Sequence, residues 1–390
     1  MPHTHQHHHN IFHYFLNREL SEIYLTVAGK TFAISLIGIF VPIYLFQMGF
    51  ELRYIFLFFA ILSAVFALTV FFAAKLSTKI GIKHGLLISM PFLIAFYILL
   101  QSITTNALNW LFFLAPVLAG IHNSFFWLNF HTDFARFSSR RFRAEQISGY
   151  AIVCALLSAL GPVIGGIILL YFGFNVLFIL VSLLLLLSTI PLFLSKEVYI
   201  PKDFSFRKVG ETMKKASFVG ISGFIGHGLF ACAGLAWIIL IYFILKAYLE
   251  MGVLTSLSIF IGIFSTFFVG KLADKFGNGP ILRIGSLFNA LGWFFRVLVT
   301  TFAGILGVNI LFGIVGPASA PGPAYDALNY NIAKKRNIAE VITMRELTIH
   351  TTITLFMFLL FLVTSISFAI LLGVVASFLL IPFSFQKKKI

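Results

Sequence analysis

Long apolar runs separated by short polar loops occupy most of the chain. They fall at 23–46, 54–74, 85–103, 110–130, 147–171 and 176–194, and again at 219–245, 253–269, 281–300, 304–329, 347–363 and 366–385. Between the two sets lies the polar stretch SKEVYIPKDFSFRKVGETMKKAS. A helix needs about 20 apolar residues to cross the hydrocarbon layer, and most runs supply that length. Strands of a membrane barrel are about 10 residues long and alternate in polarity, whereas these runs are continuous. The pattern predicts an all-α membrane protein with 12 transmembrane helices in two six-helix bundles. The expected divisions are a His-rich tail at 1–20, an N-terminal bundle at 21–194, a basic linker at 195–217, a C-terminal bundle at 218–386 and a basic tail at 387–390.

Composition excludes other classes. The 390 residues are 59% hydrophobic and 11% charged, against about 25% charged in soluble proteins. Neither a soluble two-domain enzyme nor a disordered chain fits. The 49 phenylalanines suit a lipid-facing surface. The net charge of +15 does not point to nucleic acid, because the basic residues sit in short clusters between apolar runs. Placing both termini in the cytoplasm puts nearly every cluster inside and leaves Arg53, Lys246 and Arg296 on the outer side. That asymmetry follows the positive-inside rule and predicts a multi-pass protein of the cell membrane. The N-terminus is polar and His-rich, unlike a cleavable signal peptide. Cys154 and Cys232 lie inside apolar runs, so no disulfide framework is expected.

The two halves repeat each other. Lys75, Leu76, Lys79 and Gly81 in the loop after the second helix match Lys271, Leu272, Lys275 and Gly277 after the eighth. Ala144-EQIS matches Ala339-EVIT, and Leu128-Asn129-Phe130 matches Leu328-Asn329-Tyr330. All three matches fall at equivalent places in a six-helix unit, as in membrane transporters built from internal repeats.

On these residues the chain resembles the major facilitator superfamily. Gly270-KLADKFG is similar to that family's G-x-L-a-D-r-x-G loop, with Asp274 in the acidic position. The resemblance implies a gating role for Gly270, Asp274, Lys275 and Gly277, and for Lys75 and Lys79 in the first copy. There Thr78 replaces the acid and Ala74 the glycine. Gly161-PVIGG is similar to the G-P-x-x-G-G motif common among antiporter-type exporters. Physically, Gly161, Gly165 and Gly166 permit close helix approach, and Pro162 frees a backbone carbonyl. A tight-packing site and a coupling element both fit that motif.

Ionisable groups in hydrocarbon are costly and mark cavities. The polar and ionisable groups concentrate in the first, fourth, seventh and tenth helices: Lys30, His122 and Asn123, His227, then Asn309, Tyr325 and Asp326. Lys30 and His227 stand at equivalent places in the two halves, each after a glycine. Facing one another they suit an anion; snorkelling of Lys30 and simple packing of His227 are the plainer readings. Asp326 follows Gly316-PASAPGPAY, whose prolines must disrupt the tenth helix. It is a candidate proton carrier, or a gate ion pair with Lys30 or Arg345, or a structural acid at the helix end. His131, Asp133 and Arg136 close the fourth helix and read as a cytoplasmic gate with Arg143 and Glu145, since two H-x-D ligands make no metal site. Arg296 is expected to snorkel to the outer interface. The histidines at 3, 5, 7, 8 and 9 suit weak Zn or Ni binding, and a tail without function is the plainer reading.

No G-x-x-x-x-G-K-[ST] motif is present, so an ion or solute gradient must drive any transport. The expected activity is proton-coupled export of a small, partly apolar compound by alternating access, with H+ as coupling ion and no cofactor or metal. The alternative is an exchanger or importer of a small organic or phosphorylated anion through Lys30 and His227. An enzyme is not expected, for no catalytic constellation appears. The expected partners are the small-molecule substrate and the lipid bilayer, with the chain a monomer.

Overall fold

The structure is a computed structural model that describes residues 18–103, 108–137, 143–193, 197, 199, 204–334 and 337–385. The tail histidines, Arg140, Arg141, Lys196, Lys202, Lys335, Arg336 and Lys387–Lys389 lie outside the described residues, as do the side chains of Arg18, Arg143, Glu145 and Lys215. Among the described residues there are helices and no strands. The N-terminal half holds α1 (Arg18–Ser35), α2 (Val41–Gln47), α3 (Leu52–Ile80), α4 (Ile82–Ser102), α5 (Trp110–Phe137), α6 (Arg143–Ser158) and α7 (Gly161–Ser188). A short amphipathic helix, α8 (Phe206–Lys215), lies in the linker. The C-terminal half holds α9 (Phe218–Leu245), α10 (Tyr248–Phe276), α11 (Asn278–Val297), α12 (Phe302–Val315), α13 (Pro323–Lys334), α14 (Ile338–Val363) and α15 (Ile366–Phe383).

These helices make twelve crossings. The first is α1 and α2, joined through a 3-10 turn at Gly38–Phe40, and the tenth is α12 and α13, joined through Gly316–Ala318. The stretch Ile147–Phe193 has 47 residues. At about 1.5 Å per residue it would span ~70 Å, more than twice the ~30 Å hydrocarbon layer. It breaks before Gly161-Pro162 and again at Gly173, whose φ is 75°, so it supplies both the fifth and sixth crossings. The ninth, α11, is less apolar because it carries Arg283, Asn289 and Arg296.

The repeat read from the sequence reappears as geometry. Both α3 and α10 have 29 residues. Both end on a glycine in the same unusual conformation, Gly81 at φ 94° and Gly277 at φ 95°. The bundles meet along two seams, α3 against α14 and α6–α7 against α10. The repeat exchanges the second crossing with the eighth and the fifth with the eleventh, so it converts one seam into the other. That is the signature of two pseudo-symmetric bundles.

The fifth crossing sits between the first and the eighth through its glycines. A Cβ on Gly165 would lie 1.9 Å from the Leu36 carbonyl oxygen. From the other side, a Cβ on Gly252 of α10 would lie 2.2 Å from the Pro162 carbonyl oxygen. Backbones this close gain van der Waals contact, the main attraction left between helices in lipid. Outward-facing side chains such as Leu68, Phe72, Phe264 and Phe268 stay exposed, as a lipid-facing surface requires.

Two helices run further than hydropathy predicts. α5 continues to Phe137, beyond 130, and α14 begins at Ile338 instead of 347. The extra turns carry His131, Asp133 and Arg136 in one case and Arg345 and Glu346 in the other. Charge does not end these helices, because the groups find partners inside the protein.

Candidate functional site

The prolines of the tenth crossing place the first charged group. Residues 319–322 are non-helical, and Pro323 starts α13 with Asp326 in its first turn. Unpaired N–H groups at a helix start favour a carboxylate there. From α14, Arg345 reaches Asp326 (Nη2 to Oδ1, 3.2 Å) and its neighbour Glu346 (Nη1 to Oε1, 2.7 Å). The Arg345 and Glu346 side chains are 2% and 5% exposed. From α5, His131 Nε2 stands 3.8 Å from Glu346 Oε1. His131 Nδ1 pairs with the Tyr330 hydroxyl at 2.6 Å.

These groups line a cavity of about 380 Å³ at the junction of the bundles, together with His227 of α9 and His350 of α14. The His350 ring stacks on Phe66 of the opposite half at 3.5 Å, so it lies in the α3–α14 seam. The cluster holds two carboxylates and one guanidinium. One added proton, on Glu346 or on the nearby His131, brings it to neutrality.

A second cavity of about 490 Å³ lies between α9, α10, α11 and α12, with Ile39 from the first crossing at its wall. His227, Ala231 and Pro321 line both cavities and form the partition between them. The expectation that Arg296 snorkels outward is corrected here: it is 3% exposed and lines this cavity. Its guanidinium carbon sits 4.1 Å from the Trp293 ring centre, 4.2 Å from Phe312 and 4.9 Å from Trp237. Among the described residues it meets no carboxylate, and its Nε has no hydrogen-bond partner. Aromatic faces give a desolvated cation about 2 kcal/mol, less than the several kcal/mol of burying it.

The remaining sequence candidates are placed as follows. Lys30 is 2% exposed and lines neither cavity, with Nζ 3.2 Å from the Phe126 ring centre and 4.9 Å from Trp127. The structure thus does not set Lys30 and His227 against a common space. His122 is buried against α4, donating from Nδ1 to the Ser89 carbonyl at 2.8 Å. Asn123 is half-buried and lines neither cavity. Tyr325 is buried and donates to the Gly223 carbonyl at 3.2 Å. Asp133 is buried at the end of α5. Lys75, Lys79, Asp274 and Lys275 are exposed at the basic ends of α3 and α10, around Gly270 and Gly277.

The halves touch at both ends of the cavities. On the basic side Phe134 stacks on Tyr330 at 5.2 Å, and Lys334 Nζ donates to the Arg136 carbonyl at 3.5 Å. Arg136 itself donates to the Tyr199 carbonyl at 2.7 Å. On the opposite side Gln47 bonds the hydroxyls of Tyr242 and Tyr248, and Phe46 packs on Phe243 at 5.1 Å.

The cavity groups that sequence reasoning passed over are Glu346 and His350. The usable signal was their i,i+4 spacing, which puts both on one face of α14. Arg345, which the sequence offers as one possible partner for Asp326, joins them in the same cavity.

The family model described as the Major Facilitator Superfamily matches residues 23–345. The chain belongs to the major facilitator superfamily. It is accordingly a secondary transporter and not an enzyme, and it acts on a small-molecule substrate from within a lipid bilayer. Its fold is similar to a crystal structure of the human organic anion transporter MFSD10 (TETRAN), with a TM-score of 0.66 and 13% identity, over 93% of this chain and 99% of that one. No curated protein sequence matches this superfamily member significantly.

Proposed function

We propose that the protein couples proton movement to export of a small, partly apolar compound, by rocking of its two bundles around the central cavities. The observation that carries this reading is the Asp326–Arg345–Glu346 cluster, with one carboxylate in excess and three imidazoles lining the same cavity. Intramembrane carboxylates and histidines are the usual material of proton relays. Antiport is the role that the resemblance of the Gly161-Pro162 motif implies, and the close approach of the fifth crossing to the first and eighth is compatible with it as it is with tight packing alone. On this reading both termini and the basic loops face the cytoplasm, the bundles divide at the 195–217 linker, and the protein works as a monomer in the cell membrane. Anion exchange through Lys30 and His227 has less support, because Lys30 is packed against Phe126 away from both cavities.

The test uses purified protein in liposomes loaded with the pH dye pyranine. A panel of small aromatic acids, bases and neutral compounds is added with and without an imposed pH gradient. Compound-dependent proton flux is expected in the wild type and is lost in Asp326→Asn and Glu346→Gln. Uptake of a panel compound at a rate indifferent to the gradient, unchanged in both variants, sinks the coupling assignment.

A further inference from the structure

The larger cavity has an excess of hydrogen-bond donors, and among the described residues no carboxylate lines it. Arg has five N–H donors and no acceptor, and the Trp indole donates only. Arg296 Nε and Trp293 Nε1 are both buried without a partner. Trp237 Nε1 donates to Asn309 Oδ1 at 3.1 Å, which leaves the Asn309 amide N–H groups for a ligand. The cluster's carboxylates, Asp326 and Glu346, line the other cavity, beyond the partition. Three aromatic rings lie within 4.1–4.9 Å of the guanidinium carbon, and none of them supplies the oxygen acceptor that its N–H donors call for. The rest of the wall is apolar, with Phe230, Ile238, Ile241 and Ile259.

We propose that Arg296, Trp293 and Asn309 form the head-group site for a small amphipathic carboxylate, whose apolar body fills the remainder of the larger cavity. A planar carboxylate matches the guanidinium fork, and about 490 Å³ lies within the roughly 300–1,000 Å³ of ordinary small-molecule sites. Gly373 of α15 keeps the site in shape: a Cβ there would lie 2.2 Å from Trp293 Cδ2. Lys30 is the instructive contrast, a buried cation on aromatic rings that borders neither cavity and so offers a ligand nothing. The proposal rests on the transporter reading for its biological meaning, but its test reads binding alone.

The probes are 4-phenylbutyrate, decanoate and 1-naphthoate, each with its neutral amide, and 4-phenylbutylamine as a cationic control. Binding is measured by calorimetry and by quenching of tryptophan fluorescence in detergent, at fixed pH. The expected result is at least tenfold tighter binding of one or more acids than of the matching amide. Arg296→Gln should bring acid and amide to equal affinity, and Arg296→Lys should keep part of the preference. Trp293→Phe deletes one of the proposed donors and, read by calorimetry, should weaken the acid more than its amide, a check that does not require Arg296 to be changed. Each variant's elution and melting without ligand is compared with wild type. Equal affinity for acid and amide in the wild type, no acid binding at millimolar concentration, or a preference that survives Arg296→Gln overturns the proposal. Proton-coupled uptake of the amine with no acid binding refutes this site and leaves the transporter reading intact. Acid binding without any coupled flux supports this site and refutes the proton-coupling reading.

Discussion

Replacing Arg345 by Met tests whether the buried charges are held as a unit. The guanidinium bonds Asp326 at 3.2 Å and Glu346 at 2.7 Å, and the three side chains are 2%, 16% and 5% exposed. Removing one partner of a buried pair costs about 3–5 kcal/mol, because a charge is left uncompensated. Here two carboxylates lose the same partner, so the expected loss is at the upper end, ~5 kcal/mol. That is a third or more of a typical stability of about 5–15 kcal/mol. Met roughly keeps the volume, so a cavity adds little. The triple variant Arg345→Met, Asp326→Asn, Glu346→Gln carries no charge at the site and should recover to within about 2 kcal/mol of wild type, the residue being amide hydrogen bonds left unmade. Reversible unfolding in mixed dodecylmaltoside–SDS micelles, followed by tryptophan fluorescence, reads both differences. A single variant within about 1 kcal/mol of wild type, or a triple variant no more stable than the single, refutes the account of a mutually compensated cluster.

Gly252→Leu drives a side chain into the Pro162 carbonyl and should separate the fifth and eighth crossings; transport in liposomes is expected to fall at least tenfold, and an unchanged rate refutes the seam as a moving contact. Tyr330→Phe removes the bond to His131, worth about 1 kcal/mol, and should raise labelling of a cysteine placed at Phe134 by a thiol reagent from the basic side. Gly81→Ala meets a positive φ and a Cβ position 2.2 Å from Glu197, whose carboxylate accepts from the Lys83 and His84 backbone N–H groups at 2.9 and 3.0 Å. It is expected to lower the melting temperature and to expose the linker to protease; a wild-type cleavage pattern counts against that latch.

The fold was legible because lipid constrains the chain at every residue. Run length counted the crossings, and short basic motifs such as Lys75–Gly81 and Lys271–Gly277 reported the repeat. Legibility failed where side chains compensate one another. Hydropathy charges Arg345 and Glu346 to a loop, although each neutralises the other inside α14. Arg296 looked like an interfacial snorkel because a lone arginine near a helix end normally is one. Only tertiary proximity reveals that Trp237 of α9, Trp293 of α11 and Phe312 of α12 enclose it. Asp326, in contrast, was readable, since the prolines before it announced a break and a break at membrane depth needs a wet wall.

On the proposed proton-coupled reading, the two adjoining cavities make coupling a local matter. Pro321 and His227 border both, so the wall of the cavity proposed for the compound is also the wall of the cavity proposed for the proton. Pro321 lies in the non-helical stretch that ends at Pro323, and Asp326 follows in the first turn of α13. On that reading, a bound compound that moves that stretch would move Asp326 against Arg345, while the α3–α14 seam holds α14 to the other bundle. A compound that binds the two arrangements unequally must shift proton affinity, and protonation must shift compound affinity by the same factor. No long pathway through the bundles is needed for this, because a single broken helix touches both cavities and one of the seams between the halves runs beside it.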